Sequence, residues 1–174
     1  MASKKHYILT AVTLGAIAAA SAGLIGLTNL LTKKQIQKNE LNSFNAGITA
    51  LFGDQASVDM EYKNEGGGKY IQEWYWVHFE NQQESSYVFK TSGSNSYGKI
   101  TLLVGFDDAK RFVGTYTIVN EQTYATTLVD NYLVPLNEGN RQLDDVSCGA
   151  TYGAKLVRDM VNEAQEWCNG IIIE

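Results

Sequence analysis

Cysteine occurs twice and proline once in 174 residues, and no acidic residue precedes position 39. Two cysteines are too few for a disulfide scaffold, and no Cys-x-x-Cys pair or Cys/His cluster is present to hold zinc or an iron–sulfur centre. Cys148 and Cys168 are not expected to pair with each other. If residues 151–167 form one helix, the two lie roughly 25 Å apart, against a Cα limit of about 7 Å for a disulfide. No Cys/His partner pattern supports Cys148 as a catalytic nucleophile. With 44 % hydrophobic and 19 % charged residues the chain is globular in composition, and its length admits one folded domain plus a short appendage.

The scarcity of acid at one end sets up a charge division. Five of the 14 basic residues (Lys4, Lys5, Lys33, Lys34, Lys38) precede position 39, so residues 39–174 carry nine basic against 19 acidic side chains, a net of −10. A domain that acidic repels a phosphate backbone, which argues against nucleic-acid binding.

The basic end reads as a membrane anchor. Tyr7 to Leu31 is a 25-residue stretch without a charged side chain, bounded by Lys4-Lys5-His6 and Lys33-Lys34. About 20 such residues in a helix cross a hydrocarbon core of about 30 Å. The small residues Ala18 to Ala22 offer the alternative of a cleaved signal peptide. Against cleavage, the apolar run continues through Leu24, Ile25, Leu27, Leu30 and Leu31, where a mature soluble chain would turn polar. Basic residues flank both ends, so charge leaves the orientation open. The anchor is thus assigned to residues 1–34, with the transmembrane helix at about 7–31, and the folded domain to 35–174.

That domain reads as α+β: an antiparallel sheet meander with a C-terminal amphipathic helix, preceded by the transmembrane helix. After a polar, helix-compatible link from Gln35 to Phe52, Gly66-Gly67-Gly68 marks a turn. Four segments rich in β-branched and aromatic residues follow: Tyr70 to Phe79, Ser86 to Thr91, Lys99 to Phe106 and Arg111 to Asn120. The breaks between them, Asn81 to Glu84, Gly93 to Gly98 and Asp107 to Lys110, are short enough to join antiparallel neighbours. In the fourth segment Phe112, Gly114, Tyr116 and Ile118 alternate with Val113, Thr115, Thr117 and Val119, so apolar groups face both ways and both faces of the sheet are expected to be covered. Ala154, Val157, Met160/Val161, Ala164 and Trp167/Cys168 recur at helical spacing.

The run Asp145-Val146-Ser147-Cys148-Gly149-Ala150-Thr151 stands just ahead of that helix. Small residues at 148–150 let backbone approach a ligand closely, and the first amides of a helix suit a phosphate. The plainer alternative is an N-cap in which Asp145, Ser147 or Thr151 satisfies those amides. His78, inside a strand pattern, and His6, before the apolar helix, read as structural or interfacial residues. Trp74-Tyr75-Trp76 reads first as strand core, with covering a ligand as the alternative.

This run resembles the Asp-x-x-Ser-Gly-Ala-Thr flavinylation motif of the FMN-binding domain family, found in the G subunit of Rnf electron-transport complexes and the C subunit of sodium-translocating NADH:quinone oxidoreductases. Ser96-Tyr97-Gly98-Lys99-Ile100 resembles that family's Gly-Tyr-x-Gly-x-Ile strand, and Gly114 to Val119 its successor. The resemblance implies FMN joined by a phosphoester to Thr151, with Ala150, Gly149, Cys148, Ser147 and Asp145 forming the attachment site. It further implies a flavin transferase for maturation, which uses FAD and a divalent cation, and integral-membrane subunits as partners.

Two positions and one segment depart from the family. Cys148 stands where it usually has Ser, and Gly153 where a second hydroxyl is common. Glu121 to Thr127 replaces a Glu-Thr-Pro-Gly segment. The resulting expectation is a single-pass membrane protein whose extracytoplasmic domain carries FMN and relays electrons, as an electron-transfer subunit, in an ion-translocating oxidoreductase of Rnf or Nqr type. No acid/base pair is needed, because the cofactor carries the redox chemistry. Gly15, Ala19, Gly23 and Gly26 would permit close contact with partner helices. Two alternatives remain: a stand-alone anchored flavoprotein serving extracellular electron transfer, and a non-redox, pilin-like binding module.

Overall fold

The computed structural model describes residues 4–59, 64–80, 85–140, 142–143 and 145–171. The turn expected at Asn81 to Glu84 lies outside these residues, as does Asp144 beside the motif. The chain divides into two compact units, residues 1–42 and 43–174.

Helix α1 (Lys4–Phe52) begins in the first unit and ends in the second. Within the first, Tyr7–Asn29 has mean hydropathy 2.0 and no buried residue, which fits a single-pass membrane anchor. Its 23 residues extend about 35 Å at 1.5 Å each. The hydroxyls of Thr13 and Thr28 donate to the carbonyls of Leu9 (2.9 Å) and Leu24 (2.8 Å), so neither needs water.

The second unit is a six-stranded antiparallel sheet covered on both faces, as the apolar groups on both sides of β6 require. Its strands are β1 (Ala56–Val58), β2 (Asn64–Glu65), β3 (Ile71–Phe79), β4 (Ser86–Asn95), β5 (Gly98–Phe106) and β6 (Phe112–Asn120). The meander β3-β4-β5-β6 is the expected one, and β1 and β2 pair in succession with the free edge of β3. On one face lie Tyr75, Val77, Val88 and Leu103, covered by Phe44 and Ile48 from the last turns of α1. The link expected at 35–52 is therefore helical, and its end is core. Gly47 makes this possible, because a Cβ there would stand 2.6 Å from Leu103 Cδ1.

The other face carries Tyr87, Phe89, Ile100, Leu102, Val104 and Phe106 under helix α4 (Thr151–Gly170), whose Ala154, Leu156, Val157, Met160, Val161, Ala164 and Cys168 are buried. Burying a large apolar side chain contributes about 1.5–3 kcal/mol, so this layer dominates stability. The strand period splits the Trp74-Tyr75-Trp76 cluster. Both tryptophans pack on the α4 side against Tyr87 (ring centroids 6.5 and 4.9 Å), while Tyr75 meets Phe44 on the other.

β4 runs four residues past its expected end. Gly93, expected to break the strand, lies inside it because α4 crosses there: a Cβ at Gly93 would stand 2.8 Å from Leu156 Cδ1. A further element had no expected counterpart. α2 (Ala125–Leu128), a π-helical turn (Val129–Leu133) and α3 (Val134–Asn137) follow one another and bury Leu128, Tyr132, Leu133 and Leu136 beside α4. Asn137 then clamps the outer edge of β6. Its Oδ1 accepts from Thr115 N (2.8 Å) and its Nδ2 donates to Thr115 O (2.8 Å).

Candidate functional site

Thr151 is the first residue of α4 and is half-buried. The cap residue, Ala150, brings no side-chain hydrogen bond to the helix start. Ahead of it Gly149 has φ +83°, a conformation that L side chains rarely adopt, and a Cβ there would come within 3.3 Å of Thr127 Cγ2. Cys148 is a buried free thiol whose carbonyl accepts from Asn131 Nδ2 (3.0 Å). Ser147 and Asp145 are exposed, and Ser147 N donates to Asp145 Oδ1 (3.2 Å), a local turn in the approach to the helix. Cys168 is free as well, so the two cysteines do not pair. Burial pushes the Cys168 thiol up to about 11.

Beside Thr151 opens a cavity of about 310 Å³. Tyr97, from the β4–β5 turn, Tyr124, from the segment after β6, and Tyr152, from the first turn of α4, form its aromatic walls. Tyr97 stacks on Tyr152 with ring centroids 5.4 Å apart and lies 6.0 Å from Tyr124. All three are at least 37 % exposed, so apolar ring surface is left open at the mouth of the cavity. Gln122, Leu128 and Gly153 line the inner side.

A polar network ties these three segments together. Asn95 Oδ1 accepts from Tyr97 N (2.8 Å) and Gln122 Nε2 (3.1 Å), while Asn95 Nδ2 donates to Tyr152 O (3.2 Å). Gln122 Nε2 also donates to Gly98 O. At Gly98, φ +134°, a Cβ would collide with Glu121 O at 2.1 Å, so only glycine lets the segment after β6 lie against the turn.

The absence of a second hydroxyl at position 153 has a steric reason: a Cβ there would stand 3.0 Å from Leu128 Cδ2 and 3.3 Å from Gln122 Oε1. The tryptophans, the alternative ligand cover, lie elsewhere. Trp74 adjoins Trp167 near the C-terminal end of α4, about 24 Å along the helix from Thr151. His78 is exposed and bonded to Ser85. No group of His, Cys, Asp and Glu among the described residues is placed to hold a metal ion. The three tyrosines, Asn95 and Gln122 had not been singled out together, because the fold gathers them from three separate stretches. The local signals were Tyr97, in the strand that resembles the family's, and the segment from Glu121 to Thr127, which holds Gln122 and Tyr124.

No curated protein matches the chain. Residues 1–51 match the family model described as the RnfG N-terminal region, which bears out the resemblance to the G subunit of Rnf complexes from a part of the chain separate from the Thr151 motif.

Proposed function

We propose that this chain is a membrane-anchored flavoprotein electron carrier of Rnf type, with FMN joined to Thr151 by a phosphoester and the domain of residues 43–174 outside the cytoplasm. The observation that carries the reading is the position of Thr151: a threonine at a helix start whose cap residue makes no side-chain hydrogen bond, next to an open cavity walled by three tyrosines. The match of residues 1–51 supports a role in Rnf-type electron transport. The exposed apolar stretch at Tyr7–Asn29 supports membrane attachment and contact with integral-membrane subunits.

The residues fit such a group. Thr151 Oγ would supply the ester oxygen, replacing AMP on the FMN phosphorus of FAD in a reaction run by a flavin transferase, with its own proton passing to solvent. The amides of the first turn of α4 would face the phosphate, where the helix end carries partial positive charge. Gly149, lacking a side chain, keeps the approach clear. Tyr97, Tyr124 and Tyr152 would shield the ring from water and hold it by its faces. The flavin, when bound, supplies the uptake and release of electrons.

Denaturing gel electrophoresis under ultraviolet light tests the attachment, on wild type and Thr151→Ala co-expressed with a flavin transferase. A fluorescent wild-type band that is lost in the variant is expected. A dark wild-type band overturns covalent attachment.

A further inference from the structure

Gln122 is 7 % exposed, yet it lines the cavity. Its amide is locked: Nε2 donates to Asn95 Oδ1 and to Gly98 O, and a flipped amide would set oxygen against two oxygens. That leaves Oε1 on the side of Gly153, with no donor among the described residues. Oε1 is not among the fully buried polar atoms, so it is an acceptor open to the cavity that a ligand donor can reach. Its surroundings are aromatic, so the complementary ligand is flat as well as hydrogen-donating.

We infer that Gln122 determines the specificity of this cavity, its Oε1 accepting a hydrogen bond from the N–H of a planar heterocycle. A quinone, whose ring oxygens only accept, meets this oxygen unfavourably. An oxidised isoalloxazine has a single ring N–H, at N3, and that is the donor Gln122 reads. The inference rests on the reading of the cavity as the place of a flavin ring. It adds which edge of the ring is recognised and by which atom.

The test uses the full chain in detergent micelles, made without a flavin transferase and titrated with lumiflavin and 3-methyllumiflavin, with quenching of flavin fluorescence as the signal. Neither probe has a phosphate or ribityl chain, so binding does not require an ester at Thr151. Wild type should bind 3-methyllumiflavin about tenfold more weakly, through loss of one hydrogen bond to Oε1. Gln122→Met should bind both alike, at the weaker affinity. Equal affinity of wild type for the two probes overturns the inference, as does no binding of lumiflavin. Discrimination that persists in Gln122→Met also overturns it, since the methyl group would then be rejected by shape. Should Gln122→Met fail to fold, Gln122→Leu takes its place in the same comparison. A fluorescent wild-type band on the gel together with equal affinities would remove this inference and leave the attachment reading standing.

Discussion

The two ends of α4 are built on opposite plans. At its C-terminal end Lys110 Nζ donates to the carbonyls of Ile171 (2.6 Å) and Asn169 (3.4 Å), and Gln165 Nε2 donates to Lys110 O (2.9 Å). Nearby, Glu163 Oε1 accepts the consecutive amides of Lys69, Tyr70 and Ile71 at 2.8, 2.8 and 3.3 Å, holding the turn of Gly66 to Gly68 against the helix. At the N-terminal end the cap residue is alanine, the residue before it is glycine, and three tyrosines leave their rings open. One end is finished by protein groups, and the other presents amides, a hydroxyl and ring faces with room beside them. The end proposed to carry the flavin is the one whose cap residue supplies no side-chain hydrogen bond.

Substitutions at either end can break or sharpen this contrast. Thr151→Ala has the largest expected effect, complete loss of covalent flavin with little change in unfolding temperature, because only the open end is touched. Glu163→Ala should do the reverse. It strips a charged acceptor from three amides and should cost about 2–3 kcal/mol in denaturant unfolding, with flavin attachment retained. Tyr87→Phe sharpens the picture of the closed end. The Tyr87 hydroxyl is buried with no hydrogen-bond partner among the described residues, and removing it should raise stability by about 1 kcal/mol.

Lys110→Ala should cost about 0.5–1 kcal/mol through loss of the positive charge at the helix C-terminus, less at high salt. The smallest effect at neutral pH concerns Cys168. With the folded thiol near 11 and the unfolded one near 9, the unfolded state loses its proton first as pH rises, so stability is full below about pH 9 and declines towards pH 11. Cys168→Ala should flatten that limb of the pH–stability curve.

Much of the fold was legible because its signals are local. The four β-rich segments that became β3 to β6 and the helical recurrence from Ala154 to Cys168 both survive into the structure. Strands β1 and β2, of three and two residues, are too short to carry a period. The helical segment at 125–137 escaped notice because its π turn and Pro135 disrupt the recurrence of its apolar residues. Gly93 was misread because its meaning depends on Leu156, 63 positions away. The motif at Thr151 was legible as a linear string, but its cavity was not. The walls come from residues 97, 124 and 152, brought together only by the pairing of β4 with β5 and the docking of α4.

The π turn at Val129–Leu133 also sets helical phase. Asn131 ahead of its end reaches the carbonyl of Cys148 in the motif, Tyr132 donates its hydroxyl to Leu143 O, and Asn137 beyond it clamps Thr115 on β6. Deleting one residue from the turn would restore an ordinary α-helix, yet rotate everything on one side of the deletion by about 100° relative to the other. Asn131 and Asn137 could then no longer address their targets together. The irregular turn thereby works as a vernier, setting the approach to Thr151 and the outer edge of the sheet in register with each other.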